Sequence, residues 1–324
     1  MRSNNENKWF IGIDGGGTKT KAAICDGTGQ VKAIAVGEGT NPLSRPWDEV
    51  ERTLQACIKQ VQEQAGAKAE EVAGLYIGLG GADHQPTKAL IQAAFHDTWQ
   101  EHLFIDNDAI AALYAGTWGS PGIVLICGTG SIAYALTEHG ERHRVGGWGY
   151  LVGDEGSGFD LGKRAAVAVL RAYDGRGEQT MLTDLFLAHY GAERPNELIS
   201  LIYNASNPRM GLAQTSGLVE RAAQSGDAIA LRLISEAADS LIELATTCFA
   251  KTNERLPVVL AGGLLTANTM LCQQLKQKAS FATVVPSVSP VIGSLVAAMA
   301  RSGHSLDEKI KKQLQTSVTE LEKG

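Results

Sequence analysis

The strongest constraint on this chain is a pattern that occurs twice. An apolar strand at residues 10–13 runs into a glycine-rich loop, returns as a strand at 21–25, turns, and leaves as a strand at 31–36. The turn Asp26-Gly27-Thr28-Gly29 has hairpin chemistry, because glycine supplies the positive φ that tight turns need, so the strands are expected to form an antiparallel meander. The order repeats with strands at 123–127, 132–137 and 142–145, again with a glycine and hydroxyl loop after the first strand. The likeness between copies lies in this order of elements more than in residue identity, which points to a duplicated architecture.

The stretches that follow each meander complete the picture. A helix is expected over 47–64, with Val50, Leu54, Cys57, Ile58 and Val61 on one face and Asp48 and Glu49 near its start. Strands at 75–79 and 103–105 alternate with helices at 86–99 and 109–115, which argues for parallel pairing. After the second meander come helical stretches at 161–189 and 218–250, strands at 257–260 and 283–285, and a closing helix at 291–300. The fold expected is of the α/β class, with two duplicated lobes and a ligand cleft between them. The first lobe would span 1–120 and the second 121–324, with the closing helix at 291–302 able to pack back on the first.

Composition narrows the function. A chain of 324 residues is long enough for two domains, and a net charge of -6 with scattered basic residues argues against nucleic acid or an anionic membrane as partner. No apolar window approaches the roughly 20 residues of a membrane-spanning helix. The polar start and the short apolar run at 9–13 do not read as an export signal, and 5 widely spaced cysteines suit reduced thiols, so a cytoplasmic location is expected. No CxxC or Cys/His cluster suggests zinc or an iron-sulfur centre within the chain.

The chemistry is concentrated in loops. Asp14-Gly15-Gly16-Gly17-Thr18-Lys19 follows a strand and lets backbone N–H groups approach a phosphate, with Asp14 near a Mg²⁺ ion. It is not the Walker pattern, since Thr18 stands where the lysine should be, nor the dinucleotide fingerprint, since a strand follows it. Gly128-Thr129-Gly130-Ser131 has the same character in the second copy, and Gly262-Gly263 after a buried strand could let an adenine ring lie against backbone. Each of these alone could be a plain turn; their joint occurrence in this order points to a polyphosphate. Asp108, in Asp106-Asn107-Asp108, fits a general base for a sugar hydroxyl, or simply a helix cap; Asp106 competes as cap or metal partner. The run from Gly146 through Gly147, Trp148 and Asp154 to Gly158 combines flexible backbone, an apolar plate and carboxylate acceptors, as a sugar site requires.

With these residues in view, the sequence resembles the N-acetylglucosamine kinase group of the BadF/BadG/BcrA/BcrD ATPase family, in the actin and hexokinase superfamily. IDGGGTKT is similar to the family's first phosphate motif, ICGTGS to its second and VVLAGGLL to its adenosine motif, while NDA and GGWGYLVGDEGS match its sugar-site motifs. The resemblance implies actin-like (ribonuclease H-like) lobes, ATP and Mg²⁺ as cofactors, and phosphorylation of the 6-hydroxyl of an N-acetylated amino sugar. It implies Asp108 as catalytic base, Asn41, Gly147, Trp148 and Asp154 as sugar contacts, and Thr18 and Thr129 facing the phosphates. It also implies a homodimer. Two other readings are a glucosamine kinase and an ATPase activator of a 2-hydroxyacyl-CoA dehydratase, the latter needing thiolates for an iron-sulfur cluster.

Overall fold

A computed structural model of the chain describes residues 8–321. The contacts divide these residues into two compact units, one formed by the residues up to 121 together with those from 286 onward, the other by 122–285. The single boundary expected near residue 120 is therefore accompanied by a second near 285, and the stretch from 286 groups with the first unit.

In chain order the first unit holds β1 (Trp9–Gly15), β2 (Lys19–Asp26), β3 (Val31–Glu38), α1 (Trp47–Ala65), β4 (Val72–Leu79), α2 (Gln85–Trp99), β5 (Leu103–Asp106) and α3 (Asp108–Thr117). The second holds β6 (Gly122–Cys127), β7 (Ser131–Leu136), β8 (Arg142–Gly146), α4 (Gly158–Tyr173), α5 (Leu182–Tyr190), α6 (Leu198–Tyr203), α7 (Pro208–Gln214), α8 (Ser216–Gln224) and α9 (Ala228–Thr252). It ends with β9 (Val258–Ala261), α10 (Gly263–Thr266), α11 (Met270–Lys278) and β10 (Thr283–Val284). The chain then returns to the first unit as α12 (Pro290–Arg301) and α13 (Glu308–Leu321).

Each unit is built on one 5-stranded sheet, in the order β3-β2-β1-β4-β5 and β10-β9-β6-β7-β8. The two orders are the same pattern. In both, the first strand pairs antiparallel with the second and parallel with the fourth, as in Ile13↔Ala22 with Ile13↔Ile77, and Leu125↔Ala133 with Leu125↔Leu260. This is the duplication that the two meanders announce. Side chains on both faces of β1 are buried because helices cover both; α1 contributes the stripe Val50, Leu54, Cys57, Ile58 and Val61, all buried as its periodicity requires.

On β1 the fit of α12 depends on missing side chains. A Cβ on Gly12 would lie 2.4 Å from the Leu295 nitrogen, and one on Gly293 would lie 1.9 Å from the Ala111 oxygen, so β1, α12 and α3 touch through backbone. The buried Ser294 hydroxyl donates to the Ile13 oxygen at 3.0 Å, tying helix to strand.

Two long helical stretches are interrupted where the sequence supplies stop signals. The expected 161–189 helix breaks after Tyr173 at Gly175, whose φ is 75°, and resumes as α5. The expected 218–250 helix divides at Gly226, φ 85°, and Asp227, which caps α9 through the Ala230 N–H at 2.8 Å. No long helix of the described residues is apolar enough to cross a membrane.

Candidate active site

In the first unit, the turn from β1 to β2 contains only Gly16, Gly17 and Thr18, since Gly15 and Lys19 already belong to the strands. Gly15 is required by packing, because a Cβ there would meet the Thr40 hydroxyl at 2.2 Å; Thr40 Oγ1 is in turn 2.8 Å from Thr20 Oγ1. The Gly16 N–H donates to the Lys19 oxygen at 3.1 Å, and the Gly16 oxygen accepts from the Thr40 N–H at 2.9 Å, so the loop is pinned to the segment carrying Asn41. Gly17, Thr18 and Lys19 are exposed, and a Cβ on Gly17 would meet nothing.

Gly80 is the point where the sugar-site candidates of this unit meet. Its amide donates to the Gly15 oxygen at 2.9 Å, and a Cβ built on it would lie 3.3 Å from both Asn41 Nδ2 and Asp108 Oδ2. Asn41 and Asp108 thus flank one backbone position, beside the end of the strand that carries Asp14.

The three residues of Asp106-Asn107-Asp108 divide the work that the sequence left ambiguous. Asn107 is the cap of α3, its Oδ1 accepting from the Ala109 N–H at 2.9 Å. Asp106 is buried and bound to Arg301 of α12 at 2.8 Å. Asp108, the first residue of α3, makes neither of these two bonds; its carboxylate meets the amides of Ala109 and of Asp108 itself. Burial pushes the Asp108 carboxyl up to about 6; the Asp83 carboxylate adds to this, and the amides of Ala109 and of Asp108 itself oppose it. Asp14 is pushed up to about 7, first by burial and then by the charge of Asp108, against the pull of Lys21 and Lys19. Both residues keep some surface open to solvent, yet enclosure of the carboxyl groups remains the larger cause.

In the second unit the turn from β6 to β7 again contains three residues, Gly128, Thr129 and Gly130. The Gly128 N–H donates to the Gly130 oxygen at 2.9 Å, and the start of α4 is fastened to the loop by Gly158 N–H to Gly128 oxygen at 2.8 Å. Ser131 lies at the start of β7 with its hydroxyl donating to the Glu155 oxygen at 2.7 Å. Gly130 is required because a Cβ would strike the Asp154 carboxylate at 2.8 Å, and Gly262 because a Cβ would strike the Cys127 oxygen at 2.3 Å. Cβ atoms on Gly128 and Gly263 would meet nothing. Each glycine loop therefore has one glycine that the fold demands and at least one that it does not.

Asp154 is buried and held at φ 63°, a left-handed conformation that costs a non-glycine residue energy. Its Oδ1 accepts from the Ser131 N–H at 3.4 Å, and its Oδ2 from Arg209 at 3.1 Å. Gly147, φ 70°, lies against Ile132, while Trp148 is 65% exposed with the Arg144 guanidinium 4.6 Å over its ring. The structure thus gathers Asp14, Asn41, Asp108 and the first glycine loop in one unit, and the second loop, Gly262, Gly147, Trp148 and Asp154 in the other. Sequence reasoning missed Gly80, Thr40, Arg301 and Arg209. Gly80 could have been found from the Gly-Gly pair that ends an apolar strand, whereas Arg209 gives no signal outside its fold. The cysteines are all buried and free, and burial pushes the thiols of Cys25, Cys127 and Cys248 up, which leaves them poorly suited to hold a cluster.

The chain resembles known proteins over most of its length. The chain is 33% identical over 262 residues to an N-acetylmuramic acid/N-acetylglucosamine kinase of Clostridium acetobutylicum, covering 80% of this chain and 86% of that protein. It is 34% identical over 284 residues to an N-acetyl-D-glucosamine kinase of Dictyostelium discoideum, covering 83% and 89%. A crystal structure from Chromobacterium violaceum, provisionally assigned as an N-acetylglucosamine kinase, superposes with a TM-score of 0.72 at 28% identity, covering 90% of this chain and 99% of that one. Residues 11–298 match the model of the BadF/BadG/BcrA/BcrD ATPase family, and the chain belongs to that family.

Proposed function

We propose that the protein is an ATP-dependent kinase that transfers the γ-phosphate to the 6-hydroxyl of an N-acetylated amino sugar, with N-acetylglucosamine as the preferred acceptor and N-acetylmuramic acid as a second. The observation that carries this reading is Asp108, a carboxylate at the start of α3 raised to about 6 and placed, like the Asn41 amide, against Gly80. In the proposed reaction Asp108 takes the proton of the sugar hydroxyl as its oxygen bonds to the γ-phosphorus, and the bond to ADP breaks. Asn41, Gly147, Trp148 and Asp154 bind the sugar. The glycine loops with Thr18, Lys19, Thr129 and Ser131 bind the nucleotide, and the glycines whose missing Cβ meets only open space, Gly17, Gly128 and Gly263, leave room for it.

The donor set near Asp14 fits a Mg²⁺ ion. After burial, the charge of Asp108 is what pushes the Asp14 carboxyl up, a situation that a cation relieves. A Mg²⁺ ion is commonly held by one or two carboxylates together with phosphate oxygens and water. Bound there, the ion would neutralise phosphate charge. A cytoplasmic location, read from the polar start and the spaced cysteines, and a homodimeric assembly, implied by the family resemblance, belong to the same proposal.

A coupled ADP-release assay with glucose, glucosamine, N-acetylglucosamine and N-acetylmuramic acid tests the proposal. A site built for an acetamido group leaves polar groups unpaired when glucose binds, so kcat/KM for glucose should be lower by about 10-fold to 100-fold. Preference for glucose or glucosamine would overturn the acetamido assignment, and ADP release independent of any sugar would overturn the kinase.

A further inference from the structure

Arg209 stands in the first turn of α7, a short helix whose cap, Asn207, accepts from the Met210 N–H at 3.0 Å through Oδ1. Its guanidinium is held on two sides. Nη2 donates to Asp154 Oδ2 at 3.1 Å, and the group lies 5.4 Å over the ring of Tyr150, which packs edge-on against Phe159 at 5.1 Å. The next residue touches the second glycine loop, since Thr129 Oγ1 is 3.9 Å from Met210 Sδ. The Arg209 Nε is buried and has no hydrogen-bond partner among the described residues.

The two partners are unequal. The Asp154 side chain is 4% exposed and that of Arg209 is 41% exposed, so this is not an ordinary surface pair; the arginine is the counter-charge of an enclosed carboxylate. Asp154 also sits at φ 63° with its carboxylate against the Cα of Gly130, so the backbone and the loop alone hold it in a strained position. With Oδ1 held only by the long bond from the Ser131 N–H, the Arg209 bond to Oδ2 is the shorter of the two contacts that fix which way the carboxylate is turned.

We propose that Arg209 is a positioning residue for the sugar site: it orients the Asp154 carboxylate so that an oxygen is presented to the hydroxyls of the acceptor. The proposal rests on the reading of Asp154 as a sugar acceptor. Arg209 acts through Asp154 and not on ATP, so its loss should separate the two ligands.

Calorimetric titration of the full chain with N-acetylglucosamine, and separately with a non-hydrolysable ATP analogue, tests this. Arg209→Met should weaken sugar binding by about 10-fold to 100-fold, the worth of a hydrogen bond to a charged group, while affinity for the analogue changes by less than about 3-fold. In steady state KM for the sugar should rise more than kcat falls, and Arg209→Lys should recover most of the affinity. Adding Arg209→Met to Asp154→Asn should cost little more than Asp154→Asn alone. If Arg209→Met does not fold, Arg209→Gln carries the same comparison. Equal loss of both affinities, unchanged sugar affinity, or loss confined to the ATP analogue would each overturn the proposal; the last would mean that Arg209 meets the polyphosphate. Wild-type protein that binds no N-acetylglucosamine overturns the kinase reading and this inference with it, whereas wild-type binding that Arg209 variants retain overturns the inference alone.

Discussion

At the scale of single residues, Asp108 shows how a site can oppose the stability of its own fold. Its carboxyl is raised to about 6 and that of Asp14 to about 7 from a usual value of 3.8. A carboxyl raised in the folded state favours folding below its unfolded value and loses that contribution as pH rises through the folded one. At pH 8 both groups therefore burden the ligand-free protein. Asp108→Asn should lower kcat by about 10²-fold to 10⁴-fold, as loss of a general base does. The same variant should raise the melting temperature at pH 8 by roughly 2–4 °C, an advantage that vanishes near pH 4. Paired rate and thermal measurements across that pH range check both signs, and wild-type turnover in the variant would remove Asp108 from the chemistry. The places of the candidate loops were legible in the sequence, because glycines and acids at the ends of apolar strands mark where strands give way to turns. The roles within Asp106-Asn107-Asp108 were not, since all three can cap a helix and only the position of Arg301 and the Ala109 amide separates them.

At the scale of elements, strands and turns were read more accurately than helices. Strand alternation and hairpin turns are short-range signals, and every strand of both meanders lies within a residue or two of its expected place. The helical stretches at 161–189 and 218–250 have enough apolar periodicity to read through a stop, but Gly175 and Gly226 adopt positive φ and divide them. The segment holding α6 and α7 carries only short helices, below the length at which periodicity is detectable, and Arg209 was hidden with it. Asp227 is the residue that makes the second break firm. It accepts from the Ala230 N–H at 2.8 Å, the Met181 N–H at 2.7 Å and the Thr180 hydroxyl at 2.9 Å, joining the start of α9 to the start of α5. Burial alone would raise its carboxyl, yet these donors together hold it below the usual range. Asp227→Ala should cost about 1–3 kcal/mol, the sum of a lost cap and orphaned amides, with the loss shrinking as pH falls through the depressed value. Urea unfolding at neutral and acid pH measures it; a variant as stable as wild type at neutral pH would show that the cap is dispensable.

At the scale of the whole molecule, the duplication was visible in the sequence, and the closing helix at 291–302 was expected to be able to pack back on the first lobe, though the lobes themselves were bounded only at 120. An apolar closing helix looks the same wherever it docks, and what decides its place is the absence of side chains at Gly12 and Gly293, which no periodicity reveals. Removing residues 286–324 should therefore unmake the first unit and spare the second. In limited proteolysis of a chain ending at residue 285, a fragment from near 122 to near 285 should survive while residues 8–121 are digested, as mass spectrometry can follow. Protection of 8–121 in that chain would show that β1 does not need α12. The contact between Gly12 and Leu295 also sets a timetable for synthesis. Strand β1 leaves the ribosome well before its covering helix, with residues 122–285 synthesised in between, so the first sheet must wait, half clothed, while the whole second unit is made. Residues 122–285 form a compact unit of their own, and that unit can finish folding while β1 still waits for α12.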